Sequence, residues 1–306
     1  MNRLDISFVD VSASVECADS QSYAWISHNF GELASASATE AELSYVVTNQ
    51  SSGGYAISSN QGRSLRAANS YELLYLLEKS ITMDVQLIRK DLLFLHAAAV
   101  EYNDRGYLLV GPSGAGKSTT TWALANRGFG YLSDELAPID LNTLTVYPYP
   151  HALCLKAEPP APFGMPKDVL STMHTHHINA RRLRVVREPL RLHGVFFNVF
   201  DRAASEPTID PASPGEAAAT LYANALNLRA HEAVGLKAVA NLATNLTRYR
   251  LSTAELEATV ALLKEIVQAA SGLNSLQARS DRGQPARGAR TAGPGAQAHA
   301  SRRMSA

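Results

Sequence analysis

The chain has 306 residues, 46% of them hydrophobic, and 28 Lys and Arg residues balance 28 Asp and Glu residues. This length allows one large or two ordinary domains with a buried core, and zero net charge argues against a dedicated nucleic-acid-binding protein. Two cysteines, Cys17 and Cys154, are too few for a disulfide framework. No signal peptide or membrane-length apolar run is visible, so we expect a cytoplasmic protein without membrane contact.

Residues 1–68 are polar, rich in Ser, Ala and Asn, and predict a small β-rich N-terminal module. Short alternating stretches predict strands over residues 6–11, 42–48 and 54–58. Nothing in this module indicates chemistry, and no internal repeat is visible along the chain.

A connecting helix and a β-hairpin follow the module. The helix is predicted over residues 69–91, because Asn69 offers a cap, Glu72 lies in the first turn and an apolar stripe follows at helical spacing. Strand signals over residues 95–102 and 107–110 flank an Asn-Asp-Arg-Gly turn, which predicts the hairpin.

The clearest motif follows the second strand of this hairpin and matches G-x-x-x-x-G-K-[ST] in full. Its glycines let successive N–H groups point at phosphate oxygens, and the helix that starts after it adds its positive dipole end. Lys117 is expected to reach the β- and γ-phosphates, and the Ser118 hydroxyl to ligate Mg²⁺. The residues expected to bind ATP are Gly111, Pro112, Ser113, Gly114, Ala115, Gly116, Lys117, Ser118 and Thr119.

An acidic pair, Asp134 and Glu135, ends a short apolar stretch soon after the motif. Only one helix and a turn fit between them, so the pair should lie at the end of a neighbouring strand that faces the loop. Carboxylates there can hold Mg²⁺ or deprotonate a hydroxyl. In transporter ATPases the acidic pair comes much later, after a Ser-Gly-Gly-Gln-type signature. This chain has no such signature, which excludes that class.

Residues 92–140 resemble the catalytic domain of HPr kinase/phosphorylase, a core also similar to that of phosphoenolpyruvate carboxykinase. The resemblance rests on His96 before the hairpin, on the glycine-rich motif, and on the segment from Arg127 to the acidic pair. It implies an α/β fold with a P-loop kinase domain over residues 92–270. It also implies ATP- and Mg²⁺-dependent transfer of the γ-phosphoryl group to a hydroxyl, with Ser of a protein or peptide as the expected acceptor.

The resemblance also implies residue roles. Asp134 matches the first acid of the family's pair and is expected to act as the catalytic base. Glu135 matches the second and is expected to serve the metal together with Ser118. Lys117 would contact the transferred phosphoryl group, and His96 would contact phosphate or relay a proton.

A weaker similarity covers residues 190–199, where Arg191 replaces the family's metal-side Glu and His193 replaces its Arg. This departure favours a diverged kinase, of the kind that modifies peptides in natural-product pathways, over the regulatory enzyme itself. A small-molecule kinase, a nucleotide-binding regulatory protein and a nucleotide hydrolase acting as a switch remain alternatives. Arg191 favours the non-catalytic interpretations, and the intact Ser118, Asp134 and Glu135 oppose them.

Other polar residues give weaker signals. Three histidines lie close together in sequence: His174, His176 and His177. They have no Cys or carboxylate nearby at ligand spacing, which argues against a zinc site. Lys156 and a group of four arginines are either solvated or contact a phosphate or an acidic substrate; the arginines are Arg181, Arg182, Arg184 and Arg187.

The C-terminal part is predicted to contain a strand over residues 190–200 and helices that begin at capping boxes at 213–216 and 252–255. Residues 271–306 hold six Arg and one Asp but almost no large apolar residue, so they predict a disordered basic tail. The sequence leaves open the acceptor, the choice between ATP and GTP, and whether the chain forms a homo-oligomer.

Overall fold

The chain has a mixed α/β fold, and a computed structural model describes residues 1–35, 41–201, 203–231 and 234–282. Met1–Val267 form one compact unit. In the part of the chain that the structure describes, no helix has both the length and the apolarity needed to cross a membrane.

A five-stranded sheet covered by two helices forms the N-terminal part. Its elements are β1 (Asn2–Phe8), β2 (Val11–Cys17), α1 (Ser20–Phe30), β3 (Leu43–Asn49), β4 (Tyr55–Ser59), β5 (Ser64–Ala67) and α2 (Ser70–Ile88). The strands lie in chain order; β2 and β3 are parallel and the other pairs antiparallel. Both helices contribute side chains to one apolar core with the sheet.

The predictions for this part succeed in some places and fail in others. The strands predicted over residues 42–48 and 54–58 are confirmed as β3 and β4. The strand predicted over residues 6–11 is confirmed for residues 6–8 of β1 and for Val11 of β2. It is wrong at Val9 and Asp10, which have φ values of 47° and 59° and form the turn between the two strands. Helix α1 was not predicted.

The connecting helix is confirmed as α2, and its predicted cap is present. The Asn69 side chain accepts a hydrogen bond from the Glu72 N–H at 3.0 Å, and the Glu72 carboxylate accepts one from the Ala68 N–H at 2.8 Å. This reciprocal pair satisfies N–H groups that the first turn leaves without partners. The helix buries Leu73, Leu74, Leu77, Ser80, Ile81, Asp84 and Val85.

A second, larger sheet and four helices follow, with a small sheet beside them. The elements are β6 (Leu92–Glu101), β7 (Gly106–Val110), α3 (Lys117–Ala125), β8 (Gly130–Ser133), β9 (Leu136–Asp140), β10 (Thr145–Val146), β11 (Leu153–Leu155), β12 (Leu170–Ser171), β13 (His176–Ile178), β14 (Leu190–Phe200), β15 (Thr208–Pro211), α4 (Pro214–Ala223), α5 (Val234–Asn245), β16 (Thr247–Thr253) and α6 (Leu256–Arg282).

The topology of the larger sheet decides what lies near the glycine-rich motif. Its order is β10-β9-β6-β7-β14-β16-β15, with β8 also paired to β6, while β11, β13 and β12 form the small sheet. Strands β7, β14 and β16 run parallel, so their carboxyl ends meet at the edge where the loop to α3 begins. Apolar clusters cover both faces of this sheet: one contains side chains of α3 and α6, the other of α4 and α5.

Several predicted elements of this part are confirmed. Strands β6 and β7 form the predicted hairpin, with Asn103 and Asp104 at φ values of 51° and 59° in its turn. The strand predicted over residues 190–200 is confirmed as β14. The capping box predicted at 213–216 is confirmed, because the Ser213 hydroxyl accepts a hydrogen bond from the Glu216 N–H at 3.2 Å at the start of α4. The capping box predicted at 252–255 is wrong, because Ser252 is paired with neighbouring strands within β16.

The cap of α6 comes instead from Glu255. Its carboxylate accepts hydrogen bonds from the N–H groups of Glu257 and Ala258 at 2.9 and 2.6 Å. The helix continues to Arg282, so the disorder predicted for residues 271–306 is wrong for residues 271–282. Leu, Gln, Ala and Arg, which occur in that stretch, have high intrinsic helix propensity. Residues 283–306 lie outside the described residues.

Deleting residues 271–306 should leave the melting temperature of the remaining chain nearly unchanged, because Val267 is the last described side chain of the α6 core face. Thermal unfolding followed by circular dichroism checks this. Leu263→Ala serves as a positive control, since that side chain is 1% exposed and its truncation should cost about 2–5 kcal/mol. A drop on deletion as large as that of Leu263→Ala would contradict the expectation.

Candidate functional site

The glycine-rich motif forms the loop between β7 and α3, and its glycines have specific reasons to be there. Gly114 and Gly116 have φ values of 88° and 84°, in the left-handed region that favours glycine. At Gly111 a Cβ atom would lie 2.5 Å from the carbonyl oxygen of Asn198 on β14. Because Gly116 offers no capping side chain, the first N–H groups of α3 stay available to an anion.

Lys117 is the first residue of α3, and its side chain folds back along the loop. The side chain is 7% exposed, and its ammonium donates to the carbonyl oxygens of Gly111 at 2.8 Å and Pro112 at 3.4 Å. Burial lowers the Lys117 pKa, the nearby carboxylates of Glu135 and Asp134 oppose that shift, and the charge of Lys156 adds to it.

Asp134 lies in the break between β8 and β9 and is almost completely buried, at 1% exposure. It accepts hydrogen bonds from the Tyr131 hydroxyl and from the Cys154 N–H, each at 3.0 Å, and the Ser118 side chain lies near enough to act on its pKa. Burial raises the Asp134 pKa and the charge of Glu135 adds to the rise, whereas the charge of His151 and the hydrogen bonds oppose it. A buried carboxylate therefore lies directly beside the hydroxyl predicted to bind metal.

Glu135 differs from the buried Asp134 in that its side chain is 55% exposed. Its Oε1 lies 3.2 Å from His96 Nε2 on β6, whose side chain is 27% exposed. Desolvation acts to raise the Glu135 pKa, but the hydrogen bond and charge of His96, with the charges of His151 and Lys117, bring it below its usual range. Glu135 is therefore ionised at neutral pH at the open side of the site.

The structure thus brings the main predicted residues to one edge of the larger sheet. Lys117, Ser118, Asp134, Glu135 and His96 lie within one network of contacts and charges. The chemistry of the donor set suits Mg²⁺, which takes one or two carboxylates together with phosphate oxygens and water. Among the described residues, no group of three or more His, Cys, Asp or Glu side chains is arranged to hold a metal ion by itself.

Two residues behind Asp134 were missed by sequence reasoning. His151, 1% exposed, has its Nε2 3.4 Å from Asp134 Oδ1 and 3.4 Å from Oε1 of Glu78 on α2. Glu78 is 18% exposed. Glu78 lies four residues after Leu74 and three before Ile81, so it is next to the apolar stripe of α2. A carboxylate next to an apolar stripe is unusual, and this was the one feature of the sequence that could have indicated Glu78. His151 lies in no motif, so the sequence offered no signal for it.

Lys156 follows β11 and reaches the glycine-rich loop. Its ammonium donates to the Ser113 hydroxyl at 2.7 Å. Strand β11 is held to the site by the hydrogen bond from the Cys154 N–H to Asp134. The sequence indicated Lys156 only as a weak phosphate or substrate contact, because its distance along the chain from the motif hides this proximity.

The other weak signals have structural partners. Arg182, Arg184 and Arg187 pair with Asp168, Glu101 and Glu32, respectively. These ion pairs join separate segments of the chain and give the three guanidinium groups a role in the fold.

His177 packs against β11, with Nδ1 3.3 Å from the Cys154 sulfur and 2.8 Å from the Asn29 side-chain oxygen. Burial raises the pKa of the Cys154 thiol well above its ordinary value, and the carboxylates of Asp134, Glu78 and Glu135 add to that rise. Cys154 is therefore a protonated packing residue and not an activated nucleophile.

Arg191 lies far from the site, which changes its interpretation. In the parallel pairing of β14 with β7, Leu192 is opposite Gly106 and Phe197 is opposite Val110. Arg191 is therefore at the end of β14 remote from the glycine-rich loop, where it pairs with Thr145 of β10. Its charge there is no argument against phosphoryl chemistry at the loop.

Comparison with known proteins finds matches among solved structures. No family model matches the chain, and no curated protein matches its sequence. Among solved structures, the chain is similar to the HPr(Ser) kinase/phosphatase from Coxiella burnetii, with 13% sequence identity and a TM-score of 0.37, covering 62% of this chain and 96% of that chain.

The buried acid–imidazole pair behind the site should make stability depend on pH. Burial raises the Glu78 pKa from 4.5 to about 7, with His151 opposing and Glu135 and Asp134 adding to the rise. A carboxyl with a raised folded-state pKa binds more protons folded than unfolded across that window, so its contribution to stability falls as pH rises from about 4.5 to about 7. The His151 pKa is raised as well, despite burial, by the three carboxylates, which gives the same sign.

We therefore expect the free energy of unfolding to fall less between pH 5 and pH 7 in Glu78→Gln than in the unsubstituted protein. Urea unfolding at a series of pH values measures the slope. Glu158→Gln, at an exposed carboxyl, controls for loss of charge alone. The same slope in Glu78→Gln and in the unsubstituted protein would disprove the assignment.

Proposed function

We propose that the protein is an ATP-dependent kinase that transfers the γ-phosphoryl group to a hydroxyl, with Ser of a protein or peptide as the acceptor. The observation that carries this proposal is the position of the Ser118 side chain beside the buried Asp134, whose pKa it helps to lower, at the start of the helix that follows the glycine-rich loop. A hydroxyl and a carboxylate at this place are the protein ligands that phosphate-bound Mg²⁺ uses in P-loop enzymes.

The proposed roles of the two acids exchange those implied by the family resemblance. Asp134 is buried, contacts Ser118 and has little room to meet an acceptor, so it suits the metal side. Glu135 is exposed, ionised and hydrogen-bonded to His96, so it suits the acceptance of a proton from the acceptor hydroxyl. In this scheme His96 orients Glu135, and bound Mg²⁺ would neutralise charge on the β- and γ-phosphates.

The remaining contributions come from groups that are already oriented. The N-terminal N–H groups of α3 and the Lys117 ammonium would hold the phosphates, while the curvature at Gly114 and Gly116 points the loop backbone inward. Phosphoryl transfer depends mainly on positioning and charge stabilisation, and a loop held between a buried strand and a helix would contribute to both.

A nucleotide hydrolase that acts as a switch is the second candidate. The observation that favours it is the exposure of Glu135, because a carboxylate at the open side of the site can orient water as well as a hydroxyl. Incubation with ATP labelled at the γ-phosphate and a library of Ser peptides separates the two. Label in a peptide supports the kinase; label released only as inorganic phosphate supports the hydrolase.

Lys117→Ala should weaken binding of Mg-ATP by roughly 10- to 150-fold, because a charge-assisted hydrogen bond contributes about 1.5–3 kcal/mol. Isothermal titration calorimetry measures the affinity. Lys167→Ala, at an exposed lysine, is the matched control and should bind like the unsubstituted protein. Equal affinity in Lys117→Ala and Lys167→Ala would contradict nucleotide binding at this loop.

The two acids should give different phenotypes. Glu135→Gln should keep Mg-ATP affinity while transfer falls roughly 10²–10⁴-fold, as expected for loss of a general base. Asp134→Asn should raise the Mg²⁺ concentration needed for nucleotide binding, and it should lower stability by about 1–3 kcal/mol because an amide has one oxygen for the donors that Asp134 now satisfies. Calorimetry at varied Mg²⁺ and the peptide assay measure both. The opposite pattern would restore Asp134 as the base.

A further inference from the structure

We propose that Lys156 is a second phosphate-binding cation, which contacts the γ-phosphoryl group of the bound nucleoside triphosphate and stabilises it during transfer. This inference rests on the proposed function and names a residue that the motif does not contain. It assigns to the segment after β11 a direct part in selecting a triphosphate over a diphosphate.

The first argument is the position of the Lys156 ammonium. It donates a hydrogen bond to the Ser113 hydroxyl at 2.7 Å, so its charge lies against the third residue of the glycine-rich loop. The residue before it, Leu155, is 1% exposed and belongs to the core below α3. The Cys154 N–H is bonded to Asp134 at 3.0 Å. These contacts hold the two residues before Lys156 at the site.

The second argument concerns which end of a nucleotide this charge would meet. The Lys117 ammonium, which reaches the β- and γ-phosphates in loops of this kind, lies beside the carbonyl oxygens of Gly111 and Pro112. Ser113 is the next residue, and the Lys156 charge acts on the Lys117 ammonium, so the two ammonium groups lie near the same part of the loop. The backbone N–H groups of such loops hold the α- and β-phosphates.

The third argument is electrostatic. The Lys156 charge is close enough to contribute to lowering the Lys117 pKa, so the fold holds two like charges near each other. Lys156 has no carboxylate within ion-pair distance among the described residues; its hydrogen-bond partner there is a neutral hydroxyl. Like charges repel unless an anion lies between them, and a phosphoryl group with several acceptor oxygens fits between two ammonium groups.

A comparison of two nucleotides tests the proposal. Dissociation constants for Mg-ADP and for Mg²⁺ with a non-hydrolysable ATP analogue are measured by calorimetry in the unsubstituted protein, Lys156→Ala, Lys156→Arg and Lys167→Ala. Lys156→Ala should weaken analogue binding by about 10-fold or more and ADP binding by less than about 2-fold. Lys156→Arg should restore most of the preference, and Lys167→Ala should match the unsubstituted protein.

The possible results separate this proposal from the one on which it rests. If the unsubstituted protein binds neither nucleotide, both proposals fail. If it binds both and Lys156→Ala weakens neither, or weakens both equally, nucleotide binding stands and the γ-phosphate role of Lys156 is overturned. Unchanged nucleotide affinities with a raised KM for a peptide acceptor would also overturn it and would assign Lys156 to the acceptor.

Discussion

The burial of the Asp134 carboxylate is the constraint on which the rest of the site depends. A charge removed from water must be compensated by hydrogen bonds and opposite charge, or it is strongly destabilising. Here the compensation comes from separate segments. The Tyr131 hydroxyl and the Cys154 N–H donate hydrogen bonds, and the Ser118 side chain and the imidazole of His151 lie nearby. Satisfying this carboxylate therefore holds β8, β11 and the start of α3 in fixed relation.

This arrangement also links the N-terminal part of the chain to the site. Glu78 belongs to α2, whose apolar face packs with the first sheet, yet its carboxylate reaches the same imidazole that faces Asp134. The connecting helix thus adds one carboxyl group to the network behind the glycine-rich loop. Near the loop are the ammonium groups of Lys117 and Lys156, and the carboxylate of Glu135 is exposed.

Local signals in the sequence were sufficient where one short segment determines its own geometry. The glycine-rich loop is partly of this kind, since Gly114 and Gly116 have backbone conformations that favour glycine, and so are the Asn69 cap and the hairpin turn at Asn103 and Asp104. Elsewhere tertiary pairing decided the outcome. Val9 and Asp10 continue an alternating pattern but form a turn, and Ser252 has capping chemistry but is held in β16 by two neighbouring strands.

The same distinction applies to the site residues. The motif located Lys117 and Ser118, and its spacing located the acidic pair, but no spacing says which acid is buried. That depends on Tyr131 and Cys154, which close over Asp134 and leave Glu135 exposed. Lys156 and His151 come close to the site only when β11 and the segment before it are in place, so neither had a local signal that identified its contact.

The most direct measurement is a crystal structure of the protein with Mg²⁺ and a non-hydrolysable ATP analogue. We expect the triphosphate in the loop of residues 111–118, with the metal between Ser118, Asp134 and the phosphate oxygens, and with the γ-phosphoryl group facing the exposed Glu135. A nucleotide bound elsewhere, or bound in the loop with the metal on Glu135 and not on Asp134, would contradict this account.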